Sequence, residues 1–353
     1  SPSITAKTEL WNGTSWAEQN DLSTARYGPG GSGQSSSNAL AFGGYTGPPG
    51  TSALTEEWNA SRPVGAWSSG GDLNTGRENT AGSGTEYSAL CIGGDTPGTG
   101  QLALTESYDG SSWTEVNDLN TARGYMGATG TNTSSLVYGG YSTTTSYFTS
   151  TESWNGSTWT EVNDLNEGRY FLGRAGVSNT SALAISGDRA PPPSPPIKSA
   201  NTESWNGSSW TEVNNVNEAR SANASNGTVT SALIYGGEPA SGDTAKTEIW
   251  DGSSWTEVGD LNTAREQNAG TGTNSTAALS FGGNTPPVSA LTEDWNGSSW
   301  AEVADLSTAR RTLGASNTST TSAAGFGGKT ATAIVASTEE WSGSSNTVKV
   351  LTD

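Results

Sequence analysis

The chain has 353 residues, of which 31% are hydrophobic and 14% are charged, with 47 glycines, 14 tryptophans and a net charge of −19. That charge argues against nucleic-acid binding and against docking on an anionic lipid surface, and no apolar run approaches the roughly 20 residues of a membrane span. Histidine is absent, which excludes imidazole triads and histidine-based zinc or copper sites. We therefore expect no nucleic-acid partner, no membrane insertion, no metal and no cofactor.

One motif recurs along the chain and sets the order of the predicted elements. Each copy reads Thr-Glu-x-Trp, Asn/Asp-Gly-Ser-Ser, Trp-Thr-Glu-Val and Asp-Leu-Asn-Thr-Ala-Arg, with a Ser-Ala-Leu-x-x-Gly-Gly run between one arginine and the next copy. The first aromatic residues of the copies are Trp11, Trp58, Tyr108, Trp154, Trp205, Trp250, Trp295 and Trp341. The closing arginines are Arg26, Arg77, Arg123, Arg169, Arg220, Arg265 and Arg310.

In chain order, each unit predicts four strands, which we label A to D. Strand A follows the arginine and is rich in small residues, as in residues 127–130, and strand B is the apolar run before Gly-Gly, as in residues 232–235. Strand C is Thr-Glu-x-Trp and strand D is Trp-Thr-Glu-Val. The Asn-Gly or Asp-Gly step between C and D tolerates positive φ, which predicts a tight type I′ hairpin. No stretch shows a sustained helical period.

A four-stranded unit with a Gly-Gly doublet, an aromatic residue, a tryptophan and a closing arginine resembles the kelch repeat, although its aromatic-to-tryptophan spacing is shorter than usual. The resemblance covers nearly the whole chain and implies a β-propeller. We therefore predict an all-β, seven-bladed kelch-like β-propeller with four antiparallel strands per blade, in one domain spanning residues 1–353. The predicted blades are 26–72, 77–119, 123–165, 169–216, 220–261, 265–306 and 310–351.

The uniform Trp-Asn-Gly-Ser-Ser-Trp and Asp-Leu-Asn-Thr-Ala-Arg segments more loosely resemble kelch-like surface or tail proteins of marine bacteriophages and bacteria. This second resemblance implies an extracellular or virion-surface location.

The chain carries seven A–B units but eight C–D hairpins, so two terminal hairpins compete for one place in a seven-bladed ring. The first spans residues 4–22. The last has lost its second tryptophan, with Asn346 in that place. Because the first hairpin is intact and runs straight into Arg26, we favour the first as the segment that closes the ring. The alternative is that the C-terminal hairpin completes its own blade, and the displaced hairpin would then add to a neighbouring molecule.

The connections between strands B and C vary most from copy to copy, and loops on a rigid scaffold carry recognition. We therefore predict that the face bearing these loops, the B–C face, binds a partner. Its candidate contact residues are Tyr45, Tyr141, Tyr147, Phe148, Arg189 and Lys198. The run Pro191-Pro192-Pro193-Ser194-Pro195-Pro196 could form a stiff polyproline II finger or a plain spacer.

The repeated carboxylates are expected to be structural, because a catalytic pair should break the repeat. Glu152, for example, is predicted to pair with Arg123 or Arg169. The repeated aspartates before leucine, such as Asp118, are predicted to bond their own turns rather than calcium. The single cysteine, Cys91, lies in an apolar strand and is predicted to be a buried, inert thiol.

The sequence therefore predicts a non-enzymatic module that binds a glycan or a surface protein through the B–C face. One alternative is a structural or assembly subunit joined to itself or another structural protein by lateral or strand-exchange contacts. The other is a glycan-active enzyme that works with carboxylates alone.

Overall fold

The computed structural model describes residues 4–11, 16–18, 22, 25–26, 30–35, 38–42, 45–47, 50–51, 55–63, 66–96, 98–144, 146–189, 197–316, 319–343 and 346–351. By their contacts these residues form two compact units, one from residues 66–342 and one from residues 1–65 with 343–353. The expectation of one domain across residues 1–353 stays a prediction.

The larger unit contains six four-stranded antiparallel sheets, which we number blades 1 to 6. Strands A to D of blade 1 are Ala81–Thr85, Ser88–Ile92, Thr105–Tyr108 and Trp113–Val116, and those of blade 2 are Gly127–Thr131, Ser134–Tyr138, Thr151–Trp154 and Trp159–Val162. In blade 3 they are Gly173–Ser178, Ser181–Arg189, Ile197–Trp205 and Trp210–Val213, and in blade 4 Ala224–Thr228, Ser231–Tyr235, Thr247–Trp250 and Trp255–Val258. In blade 5 they are Ala269–Asn274, Ala277–Phe281, Thr292–Trp295 and Trp300–Val303, and in blade 6 Gly314–Ala315, Ser322–Phe326, Thr338–Ser342 and Ala66–Ser69. Two short hairpins extend the B–C connections, Asp95–Thr96 with Gly100–Gln101 and Tyr141–Ser142 with Ser146–Tyr147.

The six A strands form a closed ring, because each contacts the A strand of the next blade and the A strand of blade 6 contacts that of blade 1. The prediction of an all-β propeller is therefore confirmed. Its blade count is corrected: the ring in residues 66–342 has six blades, where the sequence predicted seven.

The ring closes through the strand Ala66–Ser69, which supplies strand D of blade 6. Trp341 in strand C of that blade has Trp67 as its cross-strand partner, as Trp154 has Trp159 within blade 2. Neither predicted closure is observed among the described residues: there the hairpin strands Glu9–Trp11 and Trp16–Glu18 pair with each other alone, and Asn346 pairs with Pro63 instead of strand C of its own copy.

The local sequence explains why this strand leaves its own hairpin. Between Trp58 and Trp67 the usual Asn-Gly-Ser-Ser turn is replaced by residues 59–66, which contain Arg62-Pro63 and lack the Asn-Gly step. Strand Thr55–Pro63 therefore runs on for nine residues instead of turning back. The tryptophan missing from the last copy is supplied by Trp67 from the other end of the ring.

The smaller unit holds a further four-stranded sheet in the order Gly30–Ser35, Asn38–Phe42, Thr55–Pro63 and Asn346–Leu351. It also holds the hairpin Glu9–Trp11 with Trp16–Glu18 and the short pair Tyr45–Gly47 with Gly50–Thr51. Here too the fourth strand comes from a distant part of the chain, since residues 346–351 pair with residues 55–63.

Tryptophans pack the blades of the ring against one another. The first tryptophan of a C–D hairpin donates from Nε1 to a carbonyl in the A–B turn of its own blade, as Trp154 does to Asn132 at 2.8 Å. In blades 1, 2, 3 and 5 the second donates to a strand C threonine of the preceding blade, as Trp210 does to Thr151 at 3.0 Å. In blade 4 the Nε1 of Trp255 has no partner among the described residues. Both rings are buried, so these hairpins combine apolar burial with indole N–H groups that are mostly satisfied.

A buried ion pair recurs in all six blades of the ring. The closing arginine before strand A contacts the strand C glutamate of the same blade, at 2.5 Å for Arg77–Glu106, 2.8 Å for Arg123–Glu152, 2.7 Å for Arg169–Glu203, 2.9 Å for Arg220–Glu248, 3.1 Å for Arg265–Glu293 and 2.8 Å for Arg310–Glu339. Glu152 thus pairs with Arg123, one of its two predicted partners. In five blades an asparagine of the D–A connection donates to the second carboxylate oxygen, as Asn120 does from its backbone nitrogen at 2.8 Å and its side chain at 2.7 Å. The connection is thereby fixed to the blade it enters.

Two predicted turns are corrected. Trp154 and Trp159 are cross-strand partners, so four residues form the C–D turn rather than the two of a type I′ turn. In that turn only Gly156 has positive φ, and the Asn155 side chain accepts from the backbone nitrogens of Ser157 and Thr158. Aspartates before leucine reach back to the start of strand C instead of their own turn: Asp305 accepts from the backbone nitrogen of Thr292 at 2.9 Å.

Candidate functional site

The second residue after each closing arginine lies at the centre of the ring. These six residues are Asn79, Tyr125, Phe171, Ala222, Gln267 and Thr312, and all have φ between 53° and 61°. The backbone nitrogen of each donates to the backbone carbonyl of its counterpart in the preceding blade, at 2.7–3.0 Å, and Asn79 donates to Thr312 to complete a circle of six hydrogen bonds. Left-handed backbone is uncommon for residues other than glycine, so the circle holds these residues in a conformation they would otherwise avoid.

A cavity of about 90 Å³ lies on the axis of the ring at this level. Its walls differ around the circle. Blades 2 and 3 contribute Tyr125, Met126, Phe171 and Leu172, whereas blades 1, 4 and 5 contribute mainly amides and a hydroxyl, from Asn79, Thr80, Asn223, Gln267 and Asn268. Blade 6 adds Thr312 and Leu313, so the aromatic side chains lie in blades 2 and 3 and the amides in blades 1, 4 and 5.

Arg174 also lines the cavity. It lies five residues after Arg169, in strand A of blade 3, where the other blades carry Gly82, Ala128, Ser225, Gly270 and Ala315. Its Nη2 donates across the axis to the carbonyl of Ala315 in the opposite blade, at 3.4 Å. Burial lowers the pKa of Arg174, and the groups that oppose this shift are the phenols of Tyr138 and Tyr235 rather than a carboxylate.

Several polar atoms of the cavity wall are buried without a hydrogen-bond partner among the described residues. They are Nε of Arg174, both side-chain polar atoms of Asn223, Oε1 of Gln267, and the side-chain oxygens of Asn79, Thr80 and Asn268. Buried polar groups in native proteins are nearly always hydrogen-bonded. So many unpartnered groups in one place are typical of a site that takes a polar occupant.

Outside the circle, the first residue after each closing arginine bridges the first residue of the B–C connection. Examples are Glu78 with Asp95, Tyr170 with Asp188, and Glu266 with Asn284. The surface around the cavity mouth is therefore rich in carboxylates. Burial raises the pKa of Asp95, Asp188 and Glu266, with hydrogen bonds from Asn79 to Asp95 and the charge of Lys198 beside Asp188 acting in the opposite direction.

A cluster of five aromatic side chains, the aromatic face, covers the mouth beside blades 2 and 3: Tyr125, Tyr141, Tyr147, Tyr170 and Phe171. Ring centroids are 4.6 Å apart for Tyr125 and Phe171, 5.5 Å for Tyr141 and Tyr170, and 6.3 Å for Tyr147 and Tyr170, which are almost parallel. All five side chains are half-buried. Burial raises the pKa of Tyr170 to about 12, so its hydroxyl is neutral and can donate at neutral pH.

Among the candidates chosen from sequence, Tyr141 and Tyr147 belong to the aromatic face. Phe148 does not, because it is 8% exposed and its ring lies under the Arg123 guanidinium at 5.5 Å. The side chain of Tyr45 and the proline run of residues 190–196 lie outside the described residues. As binding contacts, these residues stay predictions.

The two predicted basic contacts are held by carboxylates. Arg189 pairs with Glu167 at 2.7 Å, and its side chain is 45% exposed. Lys198 contacts Glu238 at 2.7 Å and Asp188 at 3.2 Å and is mostly buried. Arg189 therefore remains accessible to a partner, whereas the Lys198 ammonium is already neutralised within the rim.

Tyr125, Tyr170, Phe171 and Arg174 are not among the residues predicted from sequence. These large residues break the repeat at positions where other blades carry small or polar residues, and this is the signal that could have identified them. The predicted contacts came from the B–C connections, which vary in length, and not from the variable positions just after the closing arginine.

In comparisons with known proteins, no family model and no curated protein matches this sequence.

Among the described residues, no group of three or more carboxylate or cysteine side chains is placed to hold a metal ion. Cys91 is buried, and burial raises its pKa. The described part of the chain also contains no helix with the length and apolar character to cross a membrane.

Proposed function

We propose that this chain is a non-enzymatic binding module whose B–C face recognises a glycan. The aromatic face carries this proposal, because it is a set of large, half-buried rings at the mouth of an axial cavity. Aromatic rings supply apolar area with a polar handle, which suits the C–H faces and hydroxyls of a sugar. The rim carboxylates Asp95 and Asp188 add acceptors for those hydroxyls.

We propose further that the repeat is related to the kelch repeat and that the module acts on a virion or cell surface. The support for the first statement is the order of Gly-Gly, aromatic, tryptophan and arginine in each copy. The support for the second is the looser resemblance to phage and bacterial surface proteins and the acidic composition, which favours solubility.

A glycan array probed with the purified chain tests the proposal, followed by affinity measurements on any hit. The variant Y147A/Y170A removes two rings of the aromatic face. Tyr87 is the matched control, since it is 63% exposed and lies in the A–B turn, at the opposite face of the blade. We expect the double variant to lose about tenfold or more in affinity and Y87A to bind like the wild type.

Two results would contradict this proposal. One is a folded wild-type chain that binds no glycan, and the other is a glycan whose affinity falls equally in Y87A and Y147A/Y170A. Release of a shortened product from a bound glycan would instead favour the carboxylate-dependent enzyme.

One observation favours the second candidate function, an assembly subunit. In each unit a sheet is completed by a strand from a distant part of the chain, namely residues 66–69 in the ring and 346–351 in the smaller unit. A strand held without a covalent turn is exchangeable with the same strand of another copy. Light scattering on the chain with and without residues 343–353 tests this. A concentration-dependent oligomer that the deletion abolishes would support assembly, and two monomers would reject it.

A further inference from the structure

Arg174 differs from the six closing arginines of the ring in what it contacts. The six closing arginines each have a glutamate within 3.1 Å. Among the described residues the Arg174 guanidinium makes one long hydrogen bond, from Nη2 to the Ala315 carbonyl, and its Nε has no partner. Arg174 is half-buried, and arginine stays protonated in proteins. In the part of the chain that the structure describes, it is therefore a positive charge on the cavity wall without a carboxylate bonded to it.

The groups around Arg174 narrow the kind of partner that fits. A guanidinium binds a carboxylate through two parallel hydrogen bonds, and Arg174 lines the cavity with an Nε donor that has no partner among the described residues. The amide oxygens of Asn79, Gln267 and Asn268 are acceptors that need donors. Hydroxyl groups on the same ligand supply them. A cavity of about 90 Å³ accommodates a small molecule or one end of a larger one.

We propose that the axial cavity is a binding site for a hydroxylated carboxylate, with Arg174 as its counter-ion and the amides of Gln267 and Asn268 as hydroxyl acceptors. The site lies below the aromatic face and uses different polar residues, so it does not depend on glycan binding by that face. The same chemistry is offered by a free sugar acid and by the terminal acidic sugar of a glycan.

The test is calorimetric titration of the full chain with D-glyceric acid and D-glucuronic acid as their sodium salts. Propionate lacks the hydroxyls and glucose lacks the carboxylate, so both are matched controls. We expect one-to-one binding of at least one sugar acid and weaker binding of both controls. Methyl glucuronide then distinguishes the two sources: binding equal to that of free glucuronate indicates that a linked terminal sugar also enters the cavity.

R174A is the informative variant, because Ala128 and Ala315 occupy this position in other blades and the change restores the repeat. Loss of a charge-assisted contact should lower the affinity of R174A for the sugar acid about 10- to 100-fold. R174K keeps the charge, so its affinity should fall less. N268L should lower the affinity for the sugar acid by a larger factor than the affinity for propionate.

The proposal is overturned by an absence of binding up to tens of millimolar, or by equal affinities of wild type and R174A. R174K and N268L keep it testable if R174A does not fold. Loss of acid binding in R174A with glycan binding intact would separate this site from the aromatic face.

Discussion

Replacing Glu152 with glutamine tests whether the repeated buried ion pair stabilises the ring. Glu152 is 2% exposed, with one carboxylate oxygen 2.8 Å from Arg123 and the other accepting two hydrogen bonds from Asn120. Glutamine keeps the shape, but it has one acceptor oxygen where three donors converge. The Arg123 charge then remains fully buried without its counter-ion.

The expected magnitude follows from that geometry. Breaking a buried ion pair by removing one partner costs about 3–5 kcal/mol, and the remaining amide oxygen retains one bond worth about 1 kcal/mol. We therefore expect E152Q to lower the free energy of unfolding by about 2–4 kcal/mol. Replacing both partners, as R123M/E152L, should cost less than the two single changes together, because no buried charge is left behind.

Equilibrium unfolding in urea, followed by tryptophan fluorescence, measures these differences. Glu161 is the matched control: it is the cross-strand partner of Glu152 but is exposed, so E161Q should stay within about 0.5 kcal/mol of the wild type. Equal m-values would show that the variants unfold over the same surface. The reasoning is refuted if E152Q unfolds within about 0.5 kcal/mol of the wild type, or if E161Q costs as much.

Three further predictions concern single positions in the ring. Burial raises the pKa of Asp95 above its ordinary 3.8, so the wild type loses stability as the pH rises through the folded-state pKa. D95N should therefore have a higher melting temperature than the wild type at pH 7. That difference should vanish below the pKa of the unfolded state. Ala222 has φ of 53°, a conformation that glycine adopts more easily than alanine, so A222G should raise the free energy of unfolding in urea by about 1 kcal/mol. The control A224G, in the adjoining strand, should lower that free energy by about 0.5–1 kcal/mol. Cys91 is fully buried, so a thiol reagent should label it only after denaturant is added, and labelling of the native chain would contradict its structural role.

The secondary structure was predictable because the repeat states it many times. The C–D hairpins of blades 2 to 5 each place two tryptophans opposite each other, and each closing arginine of the ring contacts a glutamate of its blade. Patterns of this kind depend on contacts within one blade and its neighbour, which the sequence displays at short range. The turn type was not predictable from the Asn-Gly step, because the Asn155 side chain stabilises a four-residue turn instead.

The blade count depended on long-range pairing, which the repeat does not encode. Counting motifs gave seven A–B units, but closure is decided by which strand D is free to pair with the last strand C. Two local irregularities identified it: Asn346 stands where a tryptophan is expected, and residues 59–66 replace the usual turn after Trp58. Together they free Trp67 to become the partner of Trp341.

The candidate sites were harder to predict for a related reason. Arg174 and Phe171 lie in or next to strand A, the most uniform and glycine-rich part of the unit, where a search for variable loops does not look. Their place on the axis depends on ring closure, since Arg174 of blade 3 reaches Ala315 of blade 6 across the cavity. The sequence shows that these residues break the repeat, and only the ring shows that both line one cavity.

Closure by a strand without a turn makes blade 6 different from its neighbours. Trp341 and Trp67 are separated by about 270 residues, so their pairing costs about 4 kcal/mol more in loop-closure entropy than a hairpin with a four-residue turn. The cross-strand contacts of the closing sheet have the same register as those of blade 2, so they supply no extra stabilisation to offset this cost. We therefore expect the joint between residues 66–69 and 338–342 to be the least stable part of the ring. A partner that separates or exchanges strands would act there first.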